Sequence, residues 1–220
     1  MPGHLYELVV RVYDMPRTRA IPTIDERTRD ILEATLRLVA AGGVDAVRYR
    51  EVAAAAGVPL GTVSYHYASR QELLRAAFTH FLEENTRALM ALRARFTAER
   101  LEDVAEYFIE VARADLADPG RRVVAEYELI VYAARDEVVA AALDRWDRAM
   151  IGELAVVLER LGLASPLAAA RTVSEIFRGF QLVRLGRRDG DDLTDLRRRL
   201  RAFLNQRKKG TTHASRRSPR

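Results

Sequence analysis

Thr62, Ser64, Tyr65 and His66 place two hydroxyls, a phenol and an imidazole within five consecutive positions of the chain. That set matches the donors and acceptors of a nucleic acid better than it matches a catalytic triad. Thr62 and Ser64 can donate to phosphate or to base edges and touch a thymine methyl, Tyr65 offers a phenol to phosphate, and His66 can donate to a backbone oxygen in either tautomer. Leu60 and Gly61 share the same outer face. Nearby, Arg70 follows Ser69 in an S-x-x-E sequence ending at Glu72, a capping box that starts a helix with its amide dipoles and a cation together, where they would meet a phosphate.

Such side chains need a scaffold that holds a short helix outward. In YREVAAAAGVPLGTVSYHYASRQELL, from Tyr49 to Leu74, Gly57 falls where a first helix must end in a left-handed turn. Ala53 leaves room for a second helix to cross closely, and Val52, Ala56, Val58 and Val63 supply the apolar contacts that set the crossing angle. The pattern is a helix-turn-helix followed by a third, capped helix. Helical hairpins with this glycine also occur in proteins that never meet DNA, so the aromatic triplet and Arg70 carry the nucleic-acid reading.

The segment from Asp25 to about Phe81 resembles the DNA-binding domain of the TetR (tetracycline repressor) family. The resemblance rests on an amphipathic first helix, DERTRDILEATLRLVAAGG, then the helix-turn-helix, then YHY and SRQELL, which are similar to the family's Tyr-His-Phe and Thr/Ser-Lys-Glu-x-Leu signatures. It implies phosphate or base contacts from Thr62, Tyr65 and His66, a core aromatic at Tyr67 and a phosphate-binding cation at Arg70. Three positions depart from the pattern: Ser64 where an aromatic is common, Leu60 where a lysine is frequent, and Arg48 where Ser or Thr often caps the second helix. Fewer cations mean less counterion release. Arg48 and Arg50 are candidates to reach phosphate in their place.

At 220 residues the chain can bury a substantial core or hold a small domain beside a larger one. It has no cysteine, which excludes disulfides and thiolate metal sites and permits a reducing cytoplasm, the expected location. His4, His66, His80 and His213 lack ligand spacing, so no metal, cofactor or catalytic residue is expected. The formal charge of +5 is misleading, because Arg207, Lys208, Lys209, Arg216, Arg217 and Arg220 fall in the last fifteen residues, which hold no Asp or Glu. The rest of the chain is close to neutral. Residues 206–220 read as a disordered basic tail, a solvated terminus or an added attraction for DNA.

MPGHLYELVVRVYD has an apolar centre too short to span a membrane, and its Glu7 and lack of a basic leader argue against a signal peptide. Residues 1–24 are expected to be a flexible arm; residues 1–14 read as an over-extended start, and Pro16-Arg17-Thr18-Arg19 as a minor-groove arm or a functionless terminus.

Beyond Leu82 the periodicity is helical throughout. Breaks are expected at Asp118-Pro119-Gly120 and Arg135-Asp136, with Ser165 capping a helix that has Pro166 at its first position, Gly190 after it, and a last helix over about 192–205. The fold class is all-α, with about nine helices: a three-helix helix-turn-helix domain over residues 25–81, then a larger helical ligand-binding and dimerisation domain over 82–205. In the helix from Pro166, Val173, Ile176, Phe180 and Val183 form one apolar stripe and Leu167, Ala170 and Phe177 another. Leu193, Leu196, Leu200 and Phe203 form a third on the last helix. The resemblance implies that these two helices pair with their copies in a four-helix homodimer bundle; the other arrangement packs both inside one subunit.

Polar and aromatic residues interrupt the apolar helices at Tyr107, Glu126, Tyr127, Tyr132, Trp146, Arg178 and Gln181. Together they suggest an amphipathic cavity of the kind the resemblance implies. The reading is a homodimeric regulator, a repressor released from a palindromic operator in double-stranded DNA by a small amphipathic molecule, with no membrane partner. Control by a protein partner is the alternative within DNA binding. A helical scaffold without salt-dependent duplex binding is the alternative outside it.

Overall fold

Asp25 begins the first helix by accepting both the Thr28 amide and the Thr28 hydroxyl at 2.8 Å, which satisfies one of the amides that a helix start leaves without a partner. Helix α1 then runs Glu26–Gly42, buries Ile31, Leu32, Leu36 and Val39 along one face, and ends at Gly43 before a 3-10 turn at Val44–Ala46. There follow α2 (Tyr49–Ala56), α3 (Leu60–His66), α4 (Arg70–Arg93), α5 (Leu101–Ala117), α6 (Arg122–Ala133), α7 (Glu137–Arg160), α8 (Pro166–Leu185) and α9 (Leu193–Ala214). The computed structural model describes residues 25–93, 98–117, 122–186 and 193–214; among them are nine α-helices and no strand. The expected arm at 1–24, the Asp118-Pro119-Gly120 break and Gly190 lie outside the described residues.

The chain forms two compact units. Of the described residues, one gathers those in 25–88 and 115–146, the helix-turn-helix among them; the other gathers those in 89–114 and 147–214. The domain boundary expected after residue 81 falls inside α4. In the first unit Val52, Val63, Leu73, Leu74, Phe78 and Phe81 close on the α1 face, and Ala125 and Leu129 of α6 complete that core. Polar contacts reinforce it: buried His80 donates to Glu33 at 3.0 Å, and Arg122 stands 3.8 Å from Glu33 with its guanidinium over the Phe81 ring.

In the second unit Leu101, Val104 and Ile109 of α5, Leu158 of α7, and Val173 and Phe177 of α8 enclose a core into which α9 turns its leucines. Leu196 and Leu200 are 0% exposed within the single chain. This corrects the expectation that the last helix offers its leucine stripe to a second copy. Burial of Leu193, Leu196, Leu200 and Leu204 against α5, α7 and α8 outweighs any other use of that face, and beside it Arg197 donates from Nε and Nη2 to the two Glu106 oxygens at 2.8 and 3.0 Å, with a third bond from Arg201 at 3.0 Å. The arginine pairs agree with that rotation of α9 and do not impose it.

Two terminal details also differ from expectation. Ser165 precedes Pro166 as expected, but in a left-handed conformation (φ 56°, ψ 56°) and without a side-chain cap; its carbonyl accepts from Ala169 instead. The last helix continues past 205 to Ala214, since lysine and arginine sustain a helix and no proline intervenes before Pro219.

Glu33, Glu106 and Asp136 all have carboxyls held below their ordinary values. For Glu33 the His80 hydrogen bond dominates and for Glu106 the Arg197 bond; at Asp136 burial pushes upward, but donors from Gln71, the Val139 amide and Arg75 outweigh it. A depressed carboxyl adds stability above its unfolded pKa and loses it as pH falls toward the folded one. Thermal melting is therefore expected to hold steady down to about pH 5 and fall on further acidification through the carboxylate range near about 4. Leu196→Glu with Leu200→Glu is expected to unfold the second unit, visible as reduced helical circular dichroism, because two unpaired carboxylates in a dry core cost several kcal/mol.

Candidate nucleic-acid interface

The outward helix depends on one turn. Gly57 adopts φ 66°, ψ 29°; its amide donates to Ala54 at 3.3 Å and the Val58 amide reaches back to Ala53 at 3.0 Å, the paired bonds of a Schellman end. The turn swings α3 across α2, where Ala53, Val52 and Val63 are buried and Ala56 and Val58 pack beside them, as their spacing predicts. Two longer bonds brace the hairpin. The Tyr49 hydroxyl donates to the Tyr67 carbonyl at 2.7 Å, tying the start of α2 to the end of α3, and Arg37 of α1 donates to the Ala55 carbonyl at 3.1 Å. Tyr67 sits in the core, its phenol pushed up to about 12 by burial, then by the Asp25 and Glu72 carboxylates, so it remains neutral.

On the other side of α3, Tyr65 is 86% exposed and Leu60 53% exposed, with Gly61 and Ser64 also exposed and Thr62 and His66 half-buried. Tyr65 and His66 meet edge to face at 5.4 Å between centroids. The Ser64 hydroxyl turns back to donate to the Gly61 carbonyl at 3.2 Å, which leaves its oxygen as an acceptor. Arg48 and Arg50 are exposed at the start of α2, and Arg48 occupies the cap position without a side-chain bond. Of the residues expected to meet a duplex, Arg48, Arg50, Leu60, Gly61, Ser64 and Tyr65 are thus exposed, and Thr62 and His66 are half-buried.

Arg70 is placed otherwise. Its Nε donates to the Val47 carbonyl at 2.8 Å, its Nη2 to the Val44 carbonyl, and the same nitrogen lies 3.3 Å from Asp45. The guanidinium thus closes the loop between α1 and α2, and its fork of donors suits two converging carbonyls in a way a single ammonium does not. The capping box beside it forms: the Glu72 amide donates to Ser69 Oγ at 3.1 Å, while the Glu72 carboxylate accepts the Ala68 amide at 2.8 Å, one residue before the cap.

Of the seven residues expected to form a small-molecule cavity, four fall in the first unit and three in the second. Glu126 and Tyr127 lie on α6 and Trp146 on α7, its indole donating to Thr86 at 3.0 Å. In the other unit Tyr107 stacks edge to face on Phe108, which meets Phe177 at 5.1 Å; Arg178 grips the Asp147 carboxylate with both terminal nitrogens, and Gln181 is buried. Tyr132 rests on Phe78 and points its hydroxyl at Asp136, 3.4 Å away. Sequence reasoning missed Asp136 and its donors Gln71 and Arg75, which meet it from 65 and 61 residues away. Only the position of Asp136 at a helix break signalled it.

Residues 31–77 match the family profile of bacterial regulatory proteins of the tetR family, and residues 97–206 match a tetracyclin repressor-like C-terminal domain. The HTH-type transcriptional repressor KstR of Rhodococcus jostii (strain RHA1) is 28% identical over 176 residues, covering 80% of this chain and 79% of its own. Among solved structures, a TetR family member (SCO1917) from Streptomyces coelicolor A3 is 27% identical with a TM-score of 0.62, over 81% of this chain and 98% of that one. The multidrug binding protein EbrR complexed with ethidium is 26% identical with a TM-score of 0.62, over the same shares.

Arg70→Ala is expected to lower stability by about 1 kcal/mol or more, because two loop carbonyls are left without their donor. Tyr65→Ala should shift stability by less than about 0.5 kcal/mol, as exposed surface substitutions do. Urea unfolding of the two variants beside the parent protein measures both.

Proposed function

The chain belongs to the tetR family of bacterial regulatory proteins, and from that premise we propose that it is a homodimeric repressor, released from a palindromic operator by a small amphipathic molecule. The carrying observation is the outer face of α3, where an 86% exposed Tyr65 stands among Thr62, Ser64 and His66 on a hairpin braced from behind. A large aromatic held in water at that level loses little by meeting a phosphate backbone. In this reading Tyr65, Arg48 and Arg50 contact phosphate, Thr62, Ser64 and His66 contact base edges or backbone, and Leu60 and Gly61 allow close approach. Arg70 positions the loop behind them.

Residues 25–81 form the DNA-binding domain of this reading and 82–205 the domain for effector and dimer. A second copy is seated on α8, where Leu167, Leu182 and Val183 stay about half exposed while Val173 and Phe177 face inward. These aliphatic side chains lie at the two ends of α8, with exposed Arg171 and Glu175 between them, and in this reading a partner helix covers them. The ethidium bound by EbrR supports an amphipathic effector, with Tyr107, Glu126, Tyr127, Trp146, Arg178 and Gln181 as the residues to test for it. An effector that prefers a conformer with mis-spaced α3 helices lowers DNA affinity by its differential affinity for the two states. The work is binding rather than catalysis, and a cytoplasmic location follows from DNA as the partner; no helix among the described residues is long and apolar enough to cross a membrane.

The test begins with duplexes selected by the protein from a random pool, followed by gel shifts across a salt series. Tyr65→Ala, Arg48→Ala and Arg50→Ala should each flatten the log-log salt slope by about one unit for every phosphate the variant no longer engages, whereas Thr62→Ala should alter which sequences are preferred. Leu182→Glu with Val183→Glu should sediment as a folded monomer that no longer holds a two-half-site duplex tightly, since only a dimer presents two α3 helices about one helical turn apart. Binding without salt dependence or sequence preference would overturn the reading.

A further inference from the structure

At the corner between α6 and α7, Asp136 is 4% exposed and satisfied from three helices. Its oxygens accept the Val138 and Val139 amides of α7 at 3.1 and 3.2 Å, the Tyr132 hydroxyl of α6 at 3.4 Å, and from α4 the Gln71 amide at 3.0 Å and Arg75 Nε at 2.9 and 3.1 Å. The two backbone amides make Asp136 the cap of α7, a task any Asn would perform as well. The α4 donors are a different matter. Gln71 and Arg75 stand four residues apart on one face of α4, and a buried carboxylate that binds an arginine needs its charge to do so.

Helix α4 starts four residues after α3 ends, and it is held on two sides: Arg70 ties its first residue to the carbonyls of Val44 and Val47, and Gln71 with Arg75 tie its first turns to Asp136. Helix α3 itself buries only Val63. Its direction is therefore set by its flanks, the Gly57 turn on one side and the start of α4 on the other. We infer that Asp136 is a positioning residue for DNA binding, one whose charge holds the start of α4 against the α6–α7 corner and so fixes the angle at which α3 is presented. The inference rests on the DNA-binding reading above.

The variants are Asp136→Asn, which keeps the cap and removes the charge, and Arg75→Gln, which removes the cation from the other end. Both are measured as full-length protein on the duplex selected by the parent, and on copies of it with one base pair added or deleted between the half-sites. Each variant should melt below the parent, because each removes one partner of a buried ion pair, and at a temperature where parent and variants are all folded each should bind the selected duplex about tenfold more weakly, a loss within the range of coupling between sites. The salt slope should not change, because the same phosphates are neutralised. Discrimination against the mis-spaced duplexes should narrow, because α3 samples a wider range of angles, and the double variant should be no weaker than either single one. Two results overturn the inference: variants that bind and discriminate like the parent, or losses that simply track reduced thermal stability and add in the double variant. A parent protein that selects no duplex at all removes the DNA-binding reading and this inference with it.

Discussion

A seven-residue helix with one buried side chain cannot hold itself in water, where isolated helices shorter than about 12–15 residues are marginal. That constraint governs the first unit. Helix α3 exists because Gly57 turns it across α2, because Val63 finds a place beside Ala53 and Val52, and because Tyr49 ties its far end at the Tyr67 carbonyl. The longer helices α1 and α4 then supply the mass against which this hairpin is braced. The outer face of α3 is left polar and aromatic because so little of the helix is needed inside.

Five arginines around the hairpin divide along the same line. Arg37, Arg70 and Arg75 turn to carbonyls or to a carboxylate within the unit, while Arg48 and Arg50 stay exposed near the α3 face. With Leu60 in place of a further cation, hydroxyls and rings make up most of the surface that the proposed reading offers to a duplex. Such an interface gains less from counterion release and more from hydrogen-bonding geometry, so the accuracy with which α3 is held matters more. The bonds from Arg70 and Asp136 to the start of α4 answer that need.

In the second unit the arrangement is set by the apolar core that α5, α7, α8 and α9 share, and Glu106 joins two of those helices at its edge. Its carboxylate binds two arginines one turn apart on α9, beside the leucines buried in the core. Helix α8 is left with two unlike faces, one packed with Val173, Phe177 and Gln181, the other carrying Leu167, Leu182 and Val183 into solvent. The proposed dimer would therefore use α8.

What the sequence determined by itself was local. The Gly57 turn, the Ser69–Glu72 box, the helix break at Asp136 and Pro166 at the first position of α8 are all legible because each depends on atoms within four or five residues, where backbone geometry dictates what can meet. The helical periods likewise announced their apolar stripes. What lay beyond the sequence was the partner of each stripe and each long side chain. Arg70 reaches carbonyls 23 and 26 residues away, Asp136 receives Gln71 and Arg75 from 65 and 61 residues away, and Arg197 meets Glu106 across 91. A guanidinium has the same chemistry whether it faces a phosphate, a carbonyl or a carboxylate, and a leucine stripe the same hydrophobicity whether a copy or its own core covers it. Only the packing of the helices brings one of those partners within reach, which is why Arg70 turned to the loop and Leu196 and Leu200 turned to the core.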